Sequence, residues 1–275
     1  MIIITSKPGR LGNLLIVYAS ILAWAIENNK SVVNPAFHAY SRYFKLPGTI
    51  QKLLSGTIYK IFYLKARAID RFKISNPLFG TVHLNWEQRM DLDLEDALLK
   101  KSRILFLQGW QFRANSLLHK HAATLRSIFT PLPQYLQQIN DFLGKSIPAG
   151  NLLVGIHIRR KDYKHFENGR FYYSLEQYKN IINKIQVLFG SEQITFMVSS
   201  DETINTGALG EGLHIIKTPG HELLDLYCLS RCAFIAGPPS TYSMWASFYG
   251  EIPLYMIEDP EAEISKNDFV IIEEF

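Results

Sequence analysis

Short β-branched runs alternate along this chain with longer apolar stretches at helical spacing, and Gly, Pro or Ser turns separate them. Residues 1–5 read as a first strand. A turn at residues 6–13 then leads into the apolar run 14–26, which suits a buried helix and falls short of the roughly 20 residues a membrane span needs. Residues 31–34 and 104–108 read as further strands, and 115–129 as a helix terminated by Pro131 and Pro133. The second half is more regular. Residues 152–158 form a continuous apolar strand, Ser174 with Gln177 makes a capping box ahead of a helix, and strands are expected at 193–198, 213–217 and 233–236. Helices follow at 221–231 and from Ser240. Strands and helices in alternation predict an α/β chain of two Rossmann-like domains with parallel sheets. Gly144 to Asn151 interrupts the pattern, so the expected domains are 1–147 and 148–275. Residues 45–100 carry the weakest periodicity.

The densest candidate chemistry lies just past the strand 152–158. An apolar strand buried on both faces changes abruptly into His157, Arg159, Arg160, Lys161 and Asp162. In open α/β sheets ligands bind at the carboxyl ends of the strands, so two guanidiniums there predict an anion site, most simply for phosphate. A lone Arg at such an end is more often solvated trim; this concentration of charge favours function. The turn containing Gly9, Arg10, Gly12 and Asn13 sits between a strand and a helix, where backbone N–H groups can face an anion. Ser240, Thr241 and Ser243 crowd the first turn of another helix, as a phosphate cradle or as an ordinary cap. Ser199 and Asp201 end the strand at 193–198. Asp91-Leu-Asp93 has the spacing of a metal-binding acid pair, but acids before a helical run and Lys100 after it fit a helix dipole better, so no metal is expected.

Composition narrows the picture. The 275 residues are 47% hydrophobic with a net charge of +4, a soluble, mildly basic protein whose Lys and Arg are scattered, which gives no support for nucleic-acid binding. Cys228 and Cys232 lie one helical turn apart in an apolar pattern and read as reduced core residues. No signal peptide is evident, so a cytoplasmic protein is expected, with at most peripheral membrane contact through the segment 59–67, whose commoner fate is packing within the first domain.

His157-Ile-Arg159-Arg160-Lys161-Asp162-Tyr163 resembles the H-x-R-R-G-D-Y motif of the α1,2-fucosyltransferases and, more loosely, the H-x-R motif of the α1,6- and protein O-fucosyltransferases. Gly9-Arg10-Leu11-Gly12-Asn13 is similar to their G-x-L-G-N-Q loop. Ser199-Ser200-Asp201, Asp225 to Cys232, Pro239 to Ala246 and Gln108-Gly-Trp-Gln-Phe resemble further segments in the same order. Lys161 stands where the family usually has Gly, and Leu14 where it has Gln. The resemblance implies a GT-B-type fold, two Rossmann-like domains facing a central cleft, with GDP-fucose as donor substrate, no further cofactor, and a glycan as acceptor. It implies inverting, metal-independent transfer that forms an α1,2 bond in surface polysaccharide or oligosaccharide synthesis. It gives Arg159 the β-phosphate and makes Arg159, His157 and Asp162 the expected catalytic residues. Arg160, Ser199, Asp201, Ser240, Thr241 and Ser243 surround the nucleotide, and Gly9, Arg10, Gly12 and Asn13 approach it from the first domain. Another nucleotide sugar, or a catalytically silent carbohydrate-binding role, are the alternatives.

Overall fold

β1 (Ile2–Ile4) is buried along its whole length, as expected of three consecutive isoleucines in the interior of a parallel sheet. The computed structural model describes residues 1–46, 78–94, 97–100, 102–190 and 193–275, together with Leu64, Ala68 and Arg71. The segment 59–67 therefore lies outside the described residues, apart from Leu64. Internal contacts divide the chain into two units, Met1–Leu132 with Glu273–Phe275, and Pro133–Ile272.

In the first unit β1 leads to α1 (Leu11–Glu27), β2 (Val32–Val33), β3 (Phe79–His83), β4 (Met90–Asp91) and α2 (Ala97–Lys100). β5 (Ile104–Gln108), β6 (Phe112–Arg113), α3 (Asn115–Lys120) and α4 (Ala122–Ile128) follow. Four strands form a parallel sheet in the order β2-β1-β5-β3, and β4 pairs with β6 in a small second sheet. α1 is buried almost throughout, which accounts for its lack of a polar face. Tyr18 of α1 meets Phe37 and Phe129 edge-on, each with centroids 5.4 Å apart. Leu14, the departure from the family's Gln, is one of the buried positions of α1. The single helix expected over 115–129 is broken at His121, whose ring nitrogen lies 2.9 Å from Glu27 at the end of α1. Pro131 and Pro133 also do more than end a helix, because Pro133 opens α5 (Pro133–Ser146) at its first position, where the missing N–H has no helical partner to lose.

In the second unit α5 is followed by β7 (Leu152–Ile158), α6 (Leu175–Phe189), β8 (Ile194–Ser200), β9 (His214–Lys217), α7 (Glu222–Leu229), β10 (Phe234–Gly237), α8 (Thr241–Gly250) and β11 (Leu254–Met256). All five strands are parallel in the order β11-β10-β7-β8-β9. Counted from β7 this is the Rossmann order, and the winding reverses between β7 and β10. Val154, Ile156 and Ile158 of β7 are fully buried in the core. Each contributes about 1.5–3 kcal/mol by leaving water. α6 begins with the expected capping box, Ser174 accepting from the Gln177 N–H and Gln177 from the Ser174 N–H. Cys228 and Cys232 are free thiols in the core, and burial raises the Cys228 pKa to about 12. No described helix is long and apolar enough to cross a membrane.

Candidate active site

The strand order reverses between β7 and β10, the point in open α/β sheets where ligands bind outside the carboxyl ends of the strands, and the charged residues that follow β7 lie at that end. Gly237 makes the close approach possible: a Cβ there would lie 2.8 Å from the His157 Cβ and 3.0 Å from the His157 carbonyl oxygen. The chain then turns through Pro238 and Pro239 to Ser240, the N-cap of α8. The Ser240 Oγ accepts from the Tyr242 N–H at 3.3 Å and from Arg159 Nη1 at 3.3 Å.

Arg159 is held on three sides. Its Nε and Nη2 donate to the two carboxylate oxygens of Asp162 at 3.0 and 2.6 Å, and its guanidinium lies 4.9 Å from the centre of the Tyr163 ring. Tyr163 in turn donates its hydroxyl to the Pro239 carbonyl, tying the loop after β7 to the loop after β10. Burial is the largest single influence and opposes the charge on Arg159, but the Asp162 hydrogen bonds together with the charges of Tyr163, Asp162 and Asp201 outweigh it and raise the guanidinium pKa. Five N–H donors minus the three used here leaves one each on Nη1 and Nη2, a pair suited to an anionic oxygen.

Arg160 has a different fate. It lies 2.9 Å from Glu202, donates to the Tyr172 hydroxyl at 2.7 Å and sits 4.9 Å over the Tyr172 ring. Asp201 accepts from the backbone N–H groups of Arg160 at 3.0 Å and Lys161 at 3.4 Å, because β7 and β8 pair His157 with Ser199 and Ile158 with Ser200. Lys161, where the family has Gly, does not adopt a positive φ. Asp162, Asp201 and Glu202, the carboxylates nearest the motif, are thus all engaged in holding the loop.

His157 is buried, with its ring 5.2 Å from that of Tyr242 and its Nδ1 without a hydrogen-bond partner. Burial, with repulsion from Arg159, lowers its pKa to about 3, so the imidazole is neutral and a poor proton acceptor at neutral pH. Ser199 is buried and hydrogen-bonded to Tyr242, whose hydroxyl pKa is raised well above its ordinary value by burial. Ser243 does not join the group at the strand ends: it is fully buried, and its hydroxyl donates to the Ser240 carbonyl at 3.2 Å. Thr241 is half-buried at the first position of α8. Asp93 is taken up elsewhere, accepting from the first-turn N–H groups of Ser116 and Leu117 in α3, while Asp91 accepts from the Asp93 N–H. Among the described residues no cluster of three or more His, Cys, Asp or Glu side chains is arranged for a metal ion.

In the first unit Gly9 takes φ +61°, and a Cβ there would lie 2.4 Å from the Asn13 side chain. The turn therefore requires glycine. Arg10 is the N-cap of α1 and makes no side-chain cap bond, and Gly12 is buried in the first turn beside the half-buried Asn13.

The fold is similar to that of solved structures. A FUT1 variant of Arabidopsis thaliana in complex with GDP superposes with a TM-score of 0.67 at 13% identity, over 97% of this chain and 72% of that one. POFUT1 in complex with GDP gives 0.58 at 14% identity, over 92% and 97%. NodZ α-1,6-fucosyltransferase soaked with GDP-fucose gives 0.58 at 13% identity, over 93% and 94%. The chain has the GT-B fold of these fucosyltransferases. No protein-family model and no curated protein matches the sequence.

Sequence reasoning had singled out Arg159, Asp162 and Ser240, which the structure brings into one hydrogen-bonded group. It gave no role to Tyr163, Tyr172 or Tyr242, although aromatic residues interleaved with the charged motif were visible as a signal.

Proposed function

We propose that this chain is a fucosyltransferase, moving fucose from GDP-fucose to a hydroxyl of a glycan acceptor with inversion at the anomeric carbon. The observation that carries this reading is the Asp162–Arg159–Ser240 group at the reversal point of the second sheet, with two guanidinium donors left over. The acceptor oxygen forms a bond to the anomeric carbon as the bond from that carbon to the β-phosphate oxygen breaks. The electron pair leaves with GDP, and the hydroxyl proton is released. Negative charge on the departing diphosphate grows along this path, so the benefit of Arg159 is greatest in the transition state. At about 4 Å and an effective dielectric near 20, one unit charge pair contributes roughly 4 kcal/mol.

In this reading Asp162 is a positioning residue, fixing the guanidinium before the nucleotide arrives. Arg160 and Asp201 shape the loop, and Thr241 presents the positive end of α8 to the phosphates. His157 packs the motif as a neutral ring, and Ser199 and Ser243 support α8 from below. Within the first unit, Gly9, Arg10, Gly12 and Asn13 form a turn whose backbone N–H groups suit an anion. Similarity to the H-x-R-R-G-D-Y motif supports an α1,2 linkage, and the guanidinium in place of a cation supports turnover without added metal.

The test is release of GDP from GDP-fucose in the presence of a glycan panel and a chelator. Arg159→Lys removes the paired donors while keeping the charge and is expected to lower kcat by on the order of 10²-fold or more. Near-normal turnover in that variant would count against the assignment.

A further inference from the structure

The first unit carries a feature that the donor site does not use. At the carboxyl ends of β1, β3 and β5, Trp86 and Trp110 stack with centroids 4.7 Å apart and planes 25° from parallel. The Trp110 indole N–H donates to the Trp86 carbonyl at 3.0 Å, so the Trp110 ring is fixed to the backbone of the residue it stacks on. Beneath them Arg113 lies 5.3 Å from the Trp110 ring, donating to the Trp110 carbonyl at 2.8 Å and to the Phe275 carbonyl at 3.0 Å. Trp86 nevertheless remains 64% exposed. A large ring held rigidly yet left in water gains little from folding and is preorganised for a ligand face.

The two rings border a cavity of about 330 Å³ whose wall includes Thr5, Ser6, Lys7 and Gln108. Its volume lies in the range of small-molecule sites. Ser6 donates to the Gly109 carbonyl at 2.7 Å and keeps acceptor capacity, and Gln108 carries both a donor and an acceptor. A pyranose presents C–H groups on one face and hydroxyls around its edge, which matches an electron-rich indole face rimmed by the hydroxyl, amide and ammonium groups of Ser6, Gln108 and Lys7.

We infer that the exposed Trp86 face, braced by Trp110 and rimmed by Ser6 and Gln108, binds a pyranose ring of the glycan acceptor. This deepens, and rests on, the glycosyltransferase reading above. The platform is tested in the full chain by saturation-transfer NMR with lactose, cellobiose and chitobiose, with guanosine as a nucleobase competitor. GDP binding is followed separately by thermal shift. Wild type is expected to bind at least one of the saccharides, and Trp86→Ala to weaken it by about tenfold or more with melting temperature and GDP shift unchanged. Should that variant fold poorly, Trp86→Phe, with its smaller ring, decides by the same comparison. Unchanged saccharide affinity, no binding of any of the three, or displacement by guanosine overturns the platform. Saccharide binding that depends on Trp86 in a protein giving no GDP shift would leave the platform standing and remove the fucosyl-donor reading instead.

Discussion

Arg159 and Arg160 are neighbours of the same type, yet their surroundings assign them different work. Arg159 reaches across to Ser240 and retains donors for an anion, while Arg160 is spent on Glu202 and Tyr172. His157 shows the same dependence on surroundings, since its pKa of about 3 comes chiefly from burial. Its folded pKa is depressed, so between about pH 6.5 and 3 the unfolded chain binds the extra proton and stability falls as pH falls. The neutral form is fully stabilised above the unfolded value. We expect wild type to lose about 2 kcal/mol more than His157→Gln between pH 7 and pH 5, measured by denaturant unfolding at each pH. Parallel pH profiles for the two proteins would contradict this account of the histidine.

At the scale of elements, the site depends on how closely β7 and β10 approach. Their register sets Ala236 against Ile156 and brings Gly237 against His157. Gly237→Ala forces a methyl into that contact, and overpacking of this kind costs about 1–3 kcal/mol. Because the strand tips carry Arg159 and Ser240, the variant should also bind GDP more weakly. A lower denaturant midpoint together with a weaker calorimetric GDP titration is the expected result, and unchanged GDP affinity would show that the tip spacing does not govern the site. The capping box of α6 and the N-cap of α8 were legible in the sequence because capping is local. The break at His121 was not legible, because its partner Glu27 lies on α1, 94 residues away.

At the scale of the molecule, two units have separate sheets, and the proposed donor groups are concentrated in Pro133–Ile272. A ligand that binds only the native state adds about 2.7 kcal/mol of stability at a hundredfold excess over its Kd. GDP should therefore raise the calorimetric melting temperature, and UDP at the same concentration should raise it much less; equal shifts would remove the guanine nucleotide from the reading. The sequence by itself determined the alternation of strands and helices and the charge at the end of β7. Hydrophobic periodicity and helix capping act over a few residues, so they can be read along the chain. Only the tertiary structure decided which charges were left for a ligand. Whether Asp201 meets the Arg160 backbone, or Ser243 turns inward, follows from strand register and helix rotation, and those are fixed by packing among residues far apart in sequence.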